Sequence, residues 1–578
     1  MRVIVASRSK TMKALSHLFA ALLLLPLVMA CQHHHNTHAN NTVSTAAIAS
    51  AHPLATQAGK TILAQGGNAF DAAVAVSAAL AVVEPAGSGL GGGGFWLLHR
   101  AHDQQTVMLD GRETAPIEAQ RDMYLDKQGQ FNPQLSLNGP LAAGIPGLPA
   151  ALVHLSQHYG KLPLAQSLAP AIQYASEGFI VSEHYHHLAK YRLAALQASA
   201  SASAIFLDNA SSPQAGFKLR QPELAQTLMK IAQSGHAGFY QGAIADALVS
   251  GVQQAGGIWT HEDLARYRAI ERPVIKSQYA GYTLYSASPP SSGGIVLTSI
   301  LNQLSALPYQ SADKGLKRHI LVEAMRRAYL DRSRYLGDAD FITIPSYLTT
   351  AEYGQRLAST IDLNTASPSN TPTPPASQGE DTSHFSIIDH EGNRVAATLS
   401  INYPFGSGFV APGTGVLLNN EMDDFSAQPG RPNGYGLTGA EANAIAPLKR
   451  PLSSMSPTFI ENESRLMVIG TPGGSRIITM VLLGILDFID GKSAKDIVSA
   501  PRFHHQYLPD VVQLEQTGWT QQDKADLLHY GHQIKLLPRQ YGNMQTIIVN
   551  KTTGEVDAAS DPRGEGQAIV IPPDAPHR

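Results

Sequence analysis

Thr382 stands where a loose segment meets a hairpin-like stretch. The segment TASPSNTPTPPASQGED ends just before it, and TSHFSIIDHEGNRVAATLSI predicts two strands joined by a polar turn at 390–393. A threonine hydroxyl is a poor nucleophile without a base, and an N-terminal threonine carries one, its own α-amine with a pKa of about 7.7–8.0. Cleavage of the Asp381–Thr382 bond would create that N-terminus. The junction therefore predicts self-cleavage followed by acyl transfer.

Two plainer interpretations of the junction stay open, an interdomain linker that ends in an edge strand, or a surface loop. The stretch TPGGSR favours the interpretation of Thr382 as a nucleophile over these two. It offers consecutive backbone N–H groups from Gly473 and Gly474 at the start of a predicted helix. Such a pair can stabilise the oxyanion formed during acyl transfer. Acyl transfer also requires side chains that bind the substrate.

Five side chains could hold a charged substrate. Arg112 could bind a carboxylate with two parallel hydrogen bonds, and Glu421 and Asp424 in NNEMDD could hold an ammonium group. Ser453 and Ser454 in RPLSSMSP could donate hydroxyl hydrogen bonds. Each signal is weak alone, since a single arginine or a pair of acids is usually solvated. Together they describe a site for a substrate with both charges.

The elements that must position these groups change character along the chain. Residues 52–85 predict two helices broken at 66–68, the second buried on every side, and the glycine run 91–94 predicts a loop packed against other backbone. No G-K-[ST] follows that run, which excludes a phosphate-binding loop. The stretch HILVEAMRRAYLDRSRYLGD predicts a strongly amphipathic helix. Residues 359–381 show no apolar periodicity, and strand patterns dominate after 382.

Composition excludes some functions and the N-terminus predicts export. The 578 residues carry a formal net charge of -3, which argues against nucleic-acid binding. Basic residues and an apolar run predict a signal peptide over 1–30, with translation starting at Met1 or Met12. Cys31 resembles a lipoprotein cysteine, and residues 31–46 predict a flexible tether. A plain secretory signal stays the alternative. We expect a periplasmic protein, anchored to the outer membrane if Cys31 is lipidated.

Short motifs spread over the chain resemble the γ-glutamyltranspeptidase family and occur in its order: GGNAFDAAVA, GLGGGGF, DGRETAP, GIPG, PPSSGG, DTSHFSIID, GVLLNNEMDDF, KRPLSSMSPT, TPGGSRIIT, PRFHHQ and ASDPR. The resemblance implies an α+β fold, the N-terminal-nucleophile hydrolase fold with four αββα layers. It also implies cleavage into a helix-rich large subunit, 47–381, and a strand-rich small subunit, 382–578, which stay associated. No cofactor and no metal are expected.

The resemblance also assigns roles to residues. Thr382 would be the processing residue and nucleophile, and Ser400 stands where the family usually has a second threonine. The remaining roles fall on binding groups: Asn402, Glu421 and Asp424 for the substrate amino group, Arg112, Ser453 and Ser454 for its α-carboxylate, Gly473 and Gly474 for the oxyanion, and Tyr435 in a lid loop, AQPGRPNGYGLTG. His504 and His505 are interpreted as structural, because the α-amine already supplies the base.

The implied reaction is γ-glutamyl transfer from glutathione and γ-glutamyl conjugates to water, amino acids or dipeptides. A glutaryl-cephalosporin acylase or a poly-γ-glutamate depolymerase of the same superfamily is the first alternative. The lid and the two acids favour a free amino-acid head group and argue against both. A surface-binding protein without activity is a further alternative, against which the intact Thr382 argues.

Overall fold

A computed structural model describes residues 45–369, 382–428 and 430–573. The predicted signal peptide, Cys31 and Asp381 lie outside these ranges. Within the described part of the chain, no helix combines the length and apolarity needed to cross a membrane.

The strands are numbered in chain order: β1 Ala46–Ser50, β2 Gly93–Arg100, β3 Gln105–Gly111, β4 Phe179–Ile180, β5 Lys218–Leu219, β6 Ile270–Pro273, β7 Ile275–Tyr279, β8 Tyr282–Ser286, β9 Ser383–Ile388, β10 Arg394–Ser400, β11 Thr458–Glu461, β12 Arg465–Gly470, β13 Phe503–His504, β14 Val512–Leu514, β15 Ile534–Leu536, β16 Gln545–Asn550, β17 Val556–Ser560 and β18 Gln567–Ile571.

The α-helices are numbered in the same way: α1 Pro53–Ala64, α2 Ala69–Val83, α3 Pro133–Leu137, α4 Leu148–His158, α5 Leu164–Glu177, α6 Glu183–Tyr191, α7 Leu193–Gln197, α8 Ala200–Phe206, α9 Pro222–Ser234, α10 Ala237–Tyr240, α11 Gly242–Gln254, α12 His261–Arg266, α13 Gly293–Ser305, α14 Lys314–Tyr335, α15 Ala351–Ala358, α16 Ile477–Ile489, α17 Ala494–Ser499 and α18 Gln521–His529.

Two antiparallel sheets face each other at the centre of the fold. One has seven strands in the order β18-β1-β9-β10-β2-β3-β6, and the other has six in the order β17-β16-β12-β11-β8-β7. Alternate residues of the first sheet point to opposite layers. Phe385 and Ile387 pack towards α1 and α2, while Ile388 packs towards the second sheet. Helices α13 and α16 cover the far side of the second sheet. The predicted αββα layering is confirmed.

The predicted hairpin forms as β9 and β10, with Ser383 paired to Leu399. Both strands are buried along their whole length, because helices cover one face and the second sheet covers the other. The two helices predicted before residue 85 form as α1 and α2. The chain breaks at Asn68, whose side chain accepts from two N–H groups of the first turn of α2.

The glycine run lies against backbone, as predicted. A Cβ on Gly92 would come within 2.2 Å of the carbonyl oxygen of Ser400, and one on Gly91 within 2.1 Å of that of Leu417. Only glycine leaves room for these contacts, which seat the end of β10 against the start of β2.

The prediction of an amphipathic helix over 319–338 is wrong. Helix α14 is there, but its charged side chains do not form a solvated face. Glu323, Arg326 and Arg332 are buried. Glu323 accepts from the arginine side chains at 326 and 327, and Arg332 donates to serine hydroxyls. Ion pairs and hydrogen bonds inside the protein, not water, satisfy this face.

Candidate active site

A cavity lies where β9 begins and β10 ends. Most of the residues predicted to act in one site line it: Arg112, Thr382, Ser400, Asn402, Asp424, Tyr435, Ser453, Ser454 and Gly474. Two predicted residues do not line it. Glu421 lies behind Arg112, and Gly473 precedes Gly474 in the chain.

Thr382 and Ser400 face each other across the hairpin. The pairing of Ser383 with Leu399 places these two residues opposite each other one step further along. Thr382 is buried, and the Ser400 Oγ accepts from the N–H of Asn402 at 2.8 Å. Asn402 has a φ of 73°, so the chain turns sharply away from β10 at this point. A hydroxyl is thereby held beside the threonine.

Arg112 contacts both acids that were assigned to the ammonium group. Its Nη1 donates to Glu421 Oε2 at 2.5 Å, and its Nη2 donates to Asp424 Oδ2 at 2.5 Å. Its Nε donates to the carbonyl of Pro451 at 3.2 Å. The sequence predicted the three charged residues but not their pairing. A substrate carboxylate and ammonium would each enter a network in which charges of both signs are already paired.

Glu113, which the sequence reasoning missed, is a second buried carboxyl beside this network. Its Oε2 lies 3.6 Å from Arg112 Nη1, and neither oxygen has a hydrogen-bond partner among the described residues. Burial and the charge of Glu421 raise the pKa of Glu113 well above its usual value, and burial raises the pKa of Glu421 to about 7 against the pull of Arg112. The two raised pKa values disfavour ionisation of Glu113 and Glu421 at the same time.

Arg332 is a further residue that the sequence reasoning missed. Its Nη2 donates to Ser454 Oγ at 3.0 Å and its Nε donates to Ser292 Oγ at 2.9 Å. A buried cation thus lies directly behind one of the serines predicted to bind a carboxylate. The signal was present in the arginine-rich stretch of α14, but nothing in that stretch says which arginine faces the site.

Asn419 holds the acidic segment in place. Its Nδ2 donates to the carbonyls of Gly91 at 2.6 Å and Gly144 at 2.8 Å, and its Oδ1 accepts from the N–H of Glu421 at 2.9 Å. The glycine loop and the acids are therefore fixed to each other through one amide. The sequence pattern NNEMDD places an asparagine there but does not show what it would contact.

The predicted lid loop contacts the segment that was predicted to stabilise the oxyanion. The Tyr435 hydroxyl donates to the carbonyl of Asn402 at 2.7 Å, and the N–H of Gly434 donates to Asp423 Oδ2 at 2.8 Å. Gly474 has a φ of 55°, and a Cβ there would lie 2.4 Å from the Tyr435 ring. Gly474 is thus needed both for its backbone conformation and for the contact with the lid.

His504 and His505 are buried and hydrogen-bonded outside the cavity lining. His504 Nδ1 lies 2.8 Å from Thr479 Oγ1, and His505 Nε2 lies 3.3 Å from Asp510 Oδ1. Burial lowers the pKa of both rings, which are therefore neutral near pH 7. This agrees with the structural interpretation.

We expect Asp423→Asn to change how stability depends on pH. Burial raises the pKa of Asp423 from 3.8 to about 7. A carboxyl with a raised pKa binds its proton more tightly in the folded chain, so its contribution to stability is present below pH 4 and is lost as pH rises through 7. The shift corresponds to about 4 kcal/mol at most. The variant should gain stability relative to the unaltered protein between pH 5 and pH 8.

Thermal unfolding at pH 5, 6, 7 and 8 measures this difference. Asparagine keeps the shape and can still accept from the Gly434 N–H. Asp122→Asn, at an exposed carboxyl, is the control and should leave the pH profile unchanged. Parallel profiles for Asp423→Asn and the unaltered protein would show that Asp423 titrates normally.

The chain matches the family model described as Gamma-glutamyltranspeptidase over residues 55–571. The glutathione hydrolase proenzyme of Escherichia coli (strain K12) is 44% identical over 525 residues, which is 89% of this chain and 90% of that protein. The glutathione hydrolase proenzyme of Pseudomonas aeruginosa is 40% identical over 543 residues, 92% of this chain and 96% of that protein.

Solved structures with the same fold include the cephalosporin acylase from Bacillus halodurans, with a TM-score of 0.81, 29% identity and coverage of 91% of this chain and 95% of that one. A chain of Helicobacter pylori gamma-glutamyltranspeptidase gives a TM-score of 0.54 and 41% identity, covering 55% of this chain and 92% of that one. The fold is thus that of the N-terminal-nucleophile hydrolases. With its family match running from residue 55 to 571 and relatives this similar over most of their length, the chain belongs to the gamma-glutamyltranspeptidase family.

Proposed function

We propose that this protein cleaves itself before Thr382 and then transfers γ-glutamyl groups from glutathione and its conjugates to water, amino acids or dipeptides. The observation that carries the proposal is the single cavity that holds Thr382, a hydroxyl opposite it, a glycine of the oxyanion segment and paired charges of both signs. This set matches an amide substrate whose far end bears an ammonium and a carboxylate. The family and the names of its curated relatives support the same activity.

The chemistry follows from the α-amine that cleavage frees. The amine takes the proton from Thr382 Oγ, and Oγ attacks the γ-carbonyl of the donor. The N–H groups of Gly473 and Gly474 stabilise the oxyanion. The C–N bond then breaks, and the amine of cysteinylglycine leaves with the proton. Water or an acceptor amine attacks the remaining ester, and the proton it gives up returns through the α-amine to Oγ.

The head group would be recognised by the buried charges. In this assignment Arg112, Ser453 and Ser454 bind the α-carboxylate, with Arg332 polarising the second serine. Asn402, Glu421 and Asp424 bind the ammonium group. The lid residue Tyr435 closes the site, and water is thereby kept from the ester until the leaving amine departs. The ion pairs of Arg112 with the two acids hold these groups in position beforehand.

The proposed products of cleavage are a large subunit, 47–381, and a small one, 382–578, which form a heterodimer. The word proenzyme in the names of the curated relatives supports processing of a precursor. The solved Helicobacter pylori chain covers 55% of this chain, about the share that the large subunit would occupy.

Initial rates of glutamate and dipeptide release from glutathione, at several glycylglycine concentrations, test the proposal. One shared ester predicts ping-pong kinetics, seen as parallel double-reciprocal lines once hydrolysis is subtracted. Intersecting lines would indicate a ternary complex instead. A γ-glutamyl anilide and a glutaryl anilide form a matched substrate pair, because the second lacks the ammonium group. Preference for the glutaryl compound would favour an acylase.

We further propose that the protein is exported to the periplasm and anchored to the outer membrane through lipid on Cys31. The support is the order of basic residues, apolar run and cysteine at the N-terminus. Cys31→Ser should move the enzyme from the membrane to the soluble fraction with unchanged specific activity, since the several chains of a lipoprotein bind firmly. Soluble unaltered protein would support the plain secretory signal.

A further inference from the structure

Two serine-containing segments meet beside the cavity that holds Thr382. They are PPSSGG, residues 289–294, and RPLSSMSP, residues 450–457. The N–H of Ser453 donates to the carbonyl of Pro290 at 2.9 Å, and the N–H of Ser292 donates to the carbonyl of Ser453 at 2.8 Å. The serine pair predicted to bind a carboxylate is therefore held in place by the segment PPSSGG.

The hydroxyl groups of these segments are used in two different ways. Ser292 Oγ donates to the carbonyl of Ser453 at 2.7 Å, so its hydrogen is already bonded. Ser453 Oγ accepts from the N–H of Met455 at 3.1 Å. Ser454 Oγ accepts from the Arg332 guanidinium at 3.0 Å. Neither of these last two hydroxyls donates to an acceptor within the described ranges, and both serines line the cavity. Each hydroxyl thus keeps a free hydrogen for a substrate oxygen.

Arg332, which fixes the second of these hydroxyls, is a buried cation without an acid partner. It is 5% exposed, and it forms no ion pair with any residue that the structure describes. Burial lowers the pKa of Arg332, and the opposing effects of Tyr329 and Asp424 do not reverse the shift. An arginine nevertheless stays protonated in proteins. Arg332 lies in the last turn of α14, where the helix dipole favours a cation.

Arg112, the other arginine of the site, has its charge shared with carboxylates. Its Nη1 donates to Glu421 and its Nη2 donates to Asp424. Burial alone would lower the pKa of Arg112, but these two acids and Glu113 raise it overall. The two acids are also the groups assigned to the substrate ammonium. Of the two arginines, Arg332 is therefore the one whose positive charge no carboxylate pairs with.

We propose that Arg332 is a positioning residue that makes the enzyme select donors with a free α-carboxylate. The inference rests on the proposed γ-glutamyl transfer and names the group that supplies the charge for that carboxylate. Because Arg332 donates to Ser454 Oγ, the hydroxyl hydrogen of this serine is directed away from the guanidinium and is available to the donor. The unpaired charge attracts a carboxylate through the hydroxyl, and a neutral amide gains little from it.

The preference between two donors tests this role. One is a γ-glutamyl anilide, and the other is its α-carboxamide analogue, which keeps the ammonium group and the scissile amide but lacks the negative charge. The carboxylate selectivity is the ratio of kcat/KM for the first donor to kcat/KM for the second. A variant that merely folds less well loses both rates equally, so this ratio reports recognition of the carboxylate and not the amount of folded enzyme.

Arg332→Gln should lower the carboxylate selectivity roughly ten- to hundredfold, since a hydrogen-bonding group with a charge is replaced by a neutral one. Arg332→Met, with an apolar side chain in place of the buried charge, should give a similar fall and is a second neutral variant where glutamine is not tolerated. Arg332→Lys keeps the charge and should retain the selectivity within about threefold, although lysine lacks the planar guanidinium.

Arg334→Gln is the matched control, because Arg334 lies in the same turn of α14 but is exposed. It should leave the selectivity unchanged. Unchanged selectivity in both neutral variants, or an equal fall in Arg332→Lys and Arg332→Gln, would overturn the role of the Arg332 charge and leave γ-glutamyl transfer intact. Equal kcat/KM of the unaltered enzyme for the two donors would overturn it as well. No anilide cleavage at all by the unaltered enzyme would overturn the proposed function, and this inference with it.

Discussion

Thr382→Ala is expected to remain a single uncut chain without γ-glutamyl activity. The substitution removes the hydroxyl that we propose attacks the preceding carbonyl during processing and the donor carbonyl during turnover. Loss of a nucleophile in a hydrolase lowers kcat on the order of a millionfold. Gel mobility and N-terminal sequencing of the smaller fragment report the first step, and glutathione hydrolysis reports the second.

Thr382→Ser is the matched control, because it keeps the hydroxyl and removes only a methyl group. It should still be cleaved and retain activity. Cleavage of Thr382→Ala at the same bond would show that another group, or a protease, cuts the chain. In that case the hydroxyl would keep at most its role in turnover.

Arg112→Ala should raise the activation free energy for γ-glutamyl donors by about 2–5 kcal/mol. This corresponds to a roughly 30- to 5000-fold lower kcat/KM. The change removes the carboxylate partner and also leaves Glu421 and Asp424 without the guanidinium that pairs with them. Processing should continue, because it involves no head group. Kinetics with a γ-glutamyl anilide measure the loss, and gel mobility measures processing.

Arg121→Ala tests whether the effect belongs to the buried site. Arg121 also pairs with two acids, Asp122 and Glu441, but on the surface, where such pairs contribute about 0–1 kcal/mol. Its removal should change kcat/KM little. An unaltered apparent affinity of Arg112→Ala for γ-glutamyl donors would rule out the carboxylate-binding role.

The sequence predicted the parts of the site that depend on short local patterns of residues. The hairpin at Thr382 and the glycine run were readable because turn residues and alternation act over a few positions. Glu113 and Arg332 were missed, because their roles come from burial against residues distant in the chain. Glu113 adjoins Arg112 in sequence, yet only the structure shows the second carboxyl at 421 that raises its pKa.

The prediction of the fold was limited in the same way, by contacts between residues that are distant in the chain. Helix-rich and strand-rich halves were visible from composition and periodicity. Nothing local indicates that β1 lies between β18 and β9, whose residues stand hundreds of positions further along the chain. The amphipathic pattern of α14 failed for a related reason: its polar side chains satisfy one another inside the protein.

The seven-stranded sheet combines strands from the two sides of the proposed cut, and β1 lies between two strands of the other side. β18, β9 and β10 follow Thr382 in the chain, whereas β1, β2, β3 and β6 precede it. Neither fragment alone can complete a sheet, because each would expose unpaired edges and apolar faces. In the proposed scheme the break therefore comes after folding, and the two pieces keep a structure that they could not assemble when synthesised separately. Halves that are divided before Thr382 and co-expressed should aggregate, whereas the single chain folds, because the uncut chain holds the strands of both halves together during folding.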